Sequence, residues 1–253
     1  MTDVESQELL ARFETDGFVR LPGFLSAQHV AEAKDNLDRF IAERVPDLPP
    51  QHAFYEDKSR PETLKQLQNL HTYDPYFGQL TVGSRFEELA TLLMRDRAVA
   101  QNLQYFNKPA GVGKPTPVHQ DGFYFMLTPC VAVTMWLALE KVDEENGCVR
   151  YVPGSHRQGM RPHDRTDTLG FSQGISDYRE TERTAEVMMP AEPGDLLVHH
   201  ALTIHRADGN HSTTRSRRAM GFVYFGQSAR IDDERRAAYQ EKLTREMKAA
   251  GKI

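Results

Sequence analysis

His119 and Asp121 stand two residues apart in the run PVHQD, residues 117–121. On an extended segment, side chains at i and i+2 share one side, so an imidazole and a carboxylate could converge on a single ion. Alone the pair carries little weight, because a three-residue pattern recurs by chance. A metal site needs a further donor from a distant part of the chain. His205 in ALTIHRADGNH, shortly after the apolar run of GDLLVHH, is well placed for this, with His199, His200 and His211 as competitors. Two histidines and one carboxylate form the facial triad of non-haem Fe(II) oxygenases, which leaves adjacent positions open for an oxo acid and O₂. The same donors suit Zn²⁺, so a zinc-dependent hydrolase and a metal-binding jelly roll without turnover are the competing readings. Cys130 and Cys148 are the only cysteines and lack C-x-x-C spacing; they read as reduced, packed thiols.

An oxo acid held on a metal by one end presents a carboxylate at the other. A planar, permanently charged arginine meets that group better than lysine does. Arg215, Arg217 and Arg218 follow His205. On a strand Arg215 and Arg217 share one face while Arg218 takes the opposite one, which makes the first two the coupled candidates. Phe106, Phe123 and Tyr124, with Phe125 beside them, are candidates for a substrate pocket, although aromatic side chains on strands more often fill a core.

The elements that must hold these residues change character near residue 101. Residues 5–16 and 26–45 show helical spacing, with Ser26 placed to cap the second segment and Val30, Ala33, Leu37, Phe40 and Ile41 forming an apolar stripe. Between them GFVRLPGFL reads as a strand and turn. Two more helices are predicted over 63–70 and 85–94, separated by a loop holding Asp74, Pro75 and Gly78. From 101 to 227, short β-rich runs such as NLQYFNK, CVAVTMWLALE and RRAMGFVYFG are bounded by Gly, Pro and Asp, the pattern of a barrel or sandwich. Within it, 157–184 is polar and aperiodic and reads as an insertion loop able to serve as a lid. A polar helix is predicted over 232–250, with Tyr239, Leu243 and Met247 at helical spacing. The expected fold is mainly β with helical additions, one domain over 1–253.

A net charge of -5, without a concentrated basic face, gives no electrostatic reason to expect nucleic acid or an acidic membrane as a partner. A small-molecule substrate is the better expectation. The start, MTDVESQELL, carries acids where a secretory signal carries lysines, and no apolar run approaches the roughly 20 residues that cross a bilayer. The end, AAGKI, does not match the peroxisomal tripeptide. A cytoplasmic location follows as the expectation.

The order H-x-D, tryptophan-bearing strand, NGCVRYVPGSH, GD, histidine and arginine resembles the phytanoyl-CoA dioxygenase family of Fe(II)/2-oxoglutarate oxygenases, most clearly from Leu103 to Phe225. The resemblance implies a double-stranded β-helix, a cupin-like jelly roll, with His119, Asp121 and His205 on Fe(II). It implies Arg217, and Arg215 as a second contact, for the distal carboxylate of 2-oxoglutarate, with Arg218 outside. Gln104 and Trp136 match positions that line the cosubstrate pocket, and Lys65, before NLHTYDP, matches a lysine that reaches it. Ala207 stands where many relatives have a small hydroxyl residue. The implied reaction uses O₂, releases succinate and CO₂, and hydroxylates a small organic metabolite. Asp121 argues for oxygenation, since related halogenases lack that carboxylate. Gly147, Pro153 and Gly154 belong to a family turn and most simply serve backbone geometry, with no catalytic role for His156.

Overall fold

The computed structural model describes residues 2–166 and 173–249. The N-terminal part runs α1 (Asp3–Asp16), β1 (Phe18–Leu21), α2 (Ala27–Glu43), β2 (Ala53–Tyr55), β3 (Leu64–Leu67), α3 (Leu70–Tyr73), α4 (Pro75–Thr81) and α5 (Arg85–Met94). Ser26 caps α2 by accepting from the His29 amide, and Val30, Ala33, Leu37 and Phe40 are its buried face. Burying each large apolar side chain of such a stripe contributes roughly 1.5–3 kcal/mol.

Two predicted elements are corrected here. The 63–70 segment is not a helix: Leu64–Leu67 pairs antiparallel with β2 and β4, and all four of its side chains are buried. Leu64, Leu67 and Leu70 mimic helical spacing, and the partner strand that overrides it lies far away in sequence. The loop expected at Asp74 is α4, where Asp74 caps by accepting from the Tyr76 amide and Pro75 occupies the first turn. Asp-Pro is a helix-start signal as much as a loop signal.

The rest of the chain is β4 (Ala98–Lys108), β5 (Thr116–His119), α6 (Gly122–Phe125), β6 (Leu127–Thr128), β7 (Ala132–Ala138), β8 (Val149–Tyr151), β9 (His163–Arg165), β10 (Gln173–Ile175), α7 (Glu180–Thr184), β11 (Val187–Met189), β12 (Leu196–His200), β13 (His205–Ala207), β14 (Arg217–Gly226), β15 (Arg230–Ile231) and α8 (Asp233–Ala249). A seven-stranded sheet has the order β1-β12-β7-β14-β4-β3-β2 and a four-stranded sheet the order β11-β8-β13-β5. This is the jelly roll. β7 explains the continuous apolar run CVAVTMWLALE: Val133, Met135 and Leu137 pack on the helices, while Trp136 and Ala138 join Val149 and Tyr151 inside the roll. A sheet covered on both faces has no polar side to display.

The 157–184 segment is not structureless, because β9 and β10 form an antiparallel ladder and α7 follows; residues 167–172 of the expected lid lie outside the described residues. Leu243 and Met247 on α8 likewise lie outside the described side chains. Cys130 and Cys148 are free. Among the described residues no helix is long and apolar enough to cross a membrane.

Candidate active site

His119 ends β5 and His205 begins β13, and the two are direct cross-strand partners. Their ring centroids are 4.1 Å apart. The chain then leaves the strand: Asp121 has φ -58 and ψ -35, opening the turn of α6. Asp121 therefore reaches the histidines by a helical turn and not by the strand alternation that the H-x-D spacing suggested. Its Oδ1 lies 3.3 Å from His119 Nε2 and 3.7 Å from His205 Nε2. Donor atoms of the three residues all fall within 4.8 Å of one another.

The donors fit a divalent metal. His119 Nδ1 lies 2.8 Å from the Pro117 carbonyl and His205 Nδ1 lies 3.0 Å from the Thr203 carbonyl. A carbonyl only accepts, so each Nδ1 carries the proton and each Nε2 lone pair points at the shared space beside Asp121. Burial, then the neighbouring His119 and His199, drives His205 well below the ordinary imidazole range. Burial works against the charge on Asp121, but His205, His119 and His199 outweigh it and hold the carboxyl well below the usual range. Gly17, at φ 82, lets the loop before His205 close in, since a Cβ there would lie 2.6 Å from Thr203 Oγ1.

The competing histidines have other work. His199 Nε2 is 3.0 Å from Asp121 Oδ2, which also accepts from Thr134 Oγ1 at 2.5 Å, and His199 Nδ1 meets the Tyr151 hydroxyl at 2.9 Å. His199 thus orients the carboxylate. His200 accepts from the Leu202 amide and burial pushes it down to about 4. The backbone amide of His211 donates to Glu145, away from the cluster. His156 bonds the Glu14 carbonyl.

A cavity of about 760 Å³, counting the part open to solvent, adjoins the cluster, lined by Lys65, Phe106, Lys108, Trp136, Tyr151 and Arg217 among others. Arg217 is 5% exposed, its Nε has no hydrogen-bond partner, and its guanidinium carbon lies 5.1 Å from the Trp136 ring centre. Burial pushes it down to about 10. Lys65 reaches the cavity while its Nζ sits 3.0 Å from Glu56 Oε1.

Arg215 does not join them. It lies ahead of β14, so strand alternation does not govern it, and its guanidinium pairs with Asp143 and Glu145. Arg218 pairs with Glu140 and Asp38 on the other side. Gln104 lines a neighbouring cleft, not this cavity, and accepts from Gln66 at 3.1 Å. The aromatic run lies on the α6 turn, not on a strand: Tyr124 and Phe125 face the neighbouring cleft, Phe106 borders both spaces, and Phe123 stacks on His163 at 4.3 Å. Sequence reasoning missed Lys108, Thr134, Tyr151 and Gln66, whose importance comes from strand pairing and carries no motif.

A family model described as phytanoyl-CoA dioxygenase (PhyH) matches residues 13–219. The chain belongs to this family. Peroxisomal phytanoyl-CoA dioxygenase of Mus musculus is 28% identical over 260 residues, covering 98% of this chain and 69% of that protein. A probable alpha-ketoglutarate-dependent hypophosphite dioxygenase of Stutzerimonas stutzeri is 26% identical, covering 84% of this chain and 75% of its own length. Among solved structures, the epimerase SnoN in complex with Fe³⁺, alpha ketoglutarate and nogalamycin RO superposes with a TM-score of 0.73 at 27% identity, over 91% of this chain and 87% of SnoN. As a phytanoyl-CoA dioxygenase family member with this triad, the protein is a 2-oxoglutarate-dependent non-haem iron dioxygenase, using Fe(II), 2-oxoglutarate and O₂.

Proposed function

We propose that this protein hydroxylates a small organic metabolite, with His119, Asp121 and His205 holding Fe(II) and Arg217 anchoring the distal carboxylate of 2-oxoglutarate. The observation that carries the reading is Arg217 itself, a buried cation with an unmet Nε in the cavity beside the triad. An isolated buried charge is costly, and an anionic cosubstrate offsets that cost. When bound, the iron with 2-oxoglutarate and O₂ supplies the oxidising power: one oxygen atom goes to the substrate C–H bond and one to succinate, with CO₂ released.

The chain's own residues bind and orient. His119 and His205 offer neutral Nε2 atoms and Asp121 a charge, while Thr134 and His199 fix the second carboxylate oxygen. Trp136 gives the cosubstrate a flat wall and Lys65 a second cation. The β9–β10 ladder lies against β5, close enough that a Cβ on Gly174 would come within 3.2 Å of the Val118 carbonyl, so it backs the strand that carries His119. We read the chain as one oxygenase domain acting in the cytoplasm on a small molecule, without a nucleic acid or membrane partner.

Anaerobic titration of the apo-protein with Fe(II) and 2-oxoglutarate tests this. The expected result is the weak visible charge-transfer band of a chelated Fe(II)–oxo-acid pair, lost in His119→Ala. Iron binding without a band would reject the cosubstrate assignment, and activity with Zn²⁺ in the absence of O₂ would favour hydrolysis.

A further inference from the structure

Next to the metal-side cavity lies a larger cleft of about 1540 Å³, counting the part open to solvent. Gln66, Phe106, Asp121 and Thr134 border both spaces, so a molecule in the cleft lies beside the proposed iron ligands. Its wall chemistry is unusual. Among the described residues eight carboxamide side chains line it, including Gln66, Gln68, Asn102 and Gln104. Aromatic faces come from Phe106, Tyr124, Phe125 and Tyr239. The charged side chains on the described wall are Asp121, assigned to the metal, and Arg236, exposed on α8.

Gln66 supplies an independent pointer. It is 3% exposed, its Nε2 donates to Gln104 Oε1 at 3.1 Å, and its Oε1 has no partner. Turning both amides round would exchange donor for acceptor and still leave one polar atom of Gln66 unmet. A buried polar atom in that condition costs free energy until a ligand satisfies it.

Carboxamides both donate and accept, as hydroxyl groups do. Aromatic faces favour the apolar side of a ring. On the described wall the one arginine or lysine is Arg236, exposed on α8, where the phosphates of a coenzyme A thioester call for several such groups, and the one carboxylate is assigned to the metal, which leaves no buried charge pair for a zwitterion. We infer that the cleft takes a neutral, hydroxyl-bearing ring compound of the glycoside or cyclic-polyol kind as the substrate. This rests on the oxygenase reading above, because it assigns the cleft to the molecule that is oxidised.

Three probes separate the possibilities: phenyl β-D-glucopyranoside, octanoyl-CoA and L-proline, each at millimolar concentration. Saturation-transfer NMR on the metal-free protein reports binding without any turnover. The absorption band of the Fe(II)–2-oxoglutarate protein reports whether a bound probe lies beside the metal. The glucoside is expected to give a transfer signal and to shift the band, the other two to do neither. Gln66→Leu is expected to weaken glucoside binding by about tenfold, and Gln68→Leu, at a half-buried position, to weaken it in a chain whose buried core is untouched. Preference for octanoyl-CoA or L-proline overturns the inference, as does a glucoside signal that is absent or indifferent to both substitutions. A missing band with an intact transfer signal instead sinks the oxygenase reading and leaves the cleft's preference standing.

Discussion

Replacing Arg217 with methionine keeps most of the side-chain volume against Trp136 and removes a buried charge whose Nε has no partner. An uncompensated buried ion destabilises a fold, so the apo-protein should melt at the same or a higher temperature. The 2-oxoglutarate requirement should rise by about 10–100-fold, the worth of a charge-assisted hydrogen bond. A lower melting temperature with unchanged cosubstrate dependence would place the arginine in the scaffold. His199→Ala tests orientation in the same way. It leaves the proposed ligands in place but leaves Asp121 Oδ2 held by Thr134 alone, and partners of this kind typically give about 10–100-fold in metal affinity. Fe(II) titration should show that loss, with His200→Ala near normal. The sequence made the triad residues readable because H-x-D followed by a distant histidine is a pattern. Spacing alone could not separate the orienting His199 from a ligand, and only the resemblance selected His205, since both histidines stand near strand ends and the register between β13 and β5 is not local. Strand parity could not place Arg215, because parity means nothing where the strand has not begun.

Elements were legible in proportion to how local their causes are. α2 has its cap and stripe within one segment, whereas β3 owes its state to β2 and β4, and nothing inside 64–67 announces them. The described part of 157–184 makes a related point, since the β9–β10 ladder and ion pairs, not periodicity, tie it together. Arg161 holds Glu182 and Asp177. The Arg179 side chain, then its backbone amide and Arg161, outweigh burial and hold Glu182 down to about 2, against an ordinary 4.5. A carboxyl depressed in the folded state contributes stability that is complete above the unfolded value and disappears as pH falls through the folded one. Wild type should therefore lose its advantage over Glu182→Gln between about pH 4.5 and 2. Paired acid melts would detect this; a gap independent of pH would remove the ion pairs from the account.

At the scale of the whole molecule, the net charge of -5 hides a segregated distribution. Lys65, Lys108 and Arg217 face one cavity together, with Glu56 and the metal-assigned Asp121 as acids on its described wall. Burial, with Arg217 and Lys65 next, drives Lys108 well below the ordinary lysine range. Overall composition, which argued only against polyanionic partners, says nothing about such an interior, and the neighbouring amide-lined cleft is equally invisible to it. The roll sets a cationic room beside a nearly neutral one, with Asp121 and Thr134 bordering both.

His119 and His205 sit directly opposite each other, and β5 is the outermost strand of its sheet. An ion gripped by both histidines is then a rivet through the sheet's margin, and it proofreads the alignment, because a slip of one residue would turn an imidazole to the wrong face. Chelating the metal should speed amide hydrogen exchange first in 116–119 while β7 and β14 stay protected; uniform exchange along the chain would show that the margin needs no rivet. Iron supply would thereby govern how long each copy survives proteolysis as well as whether it turns over.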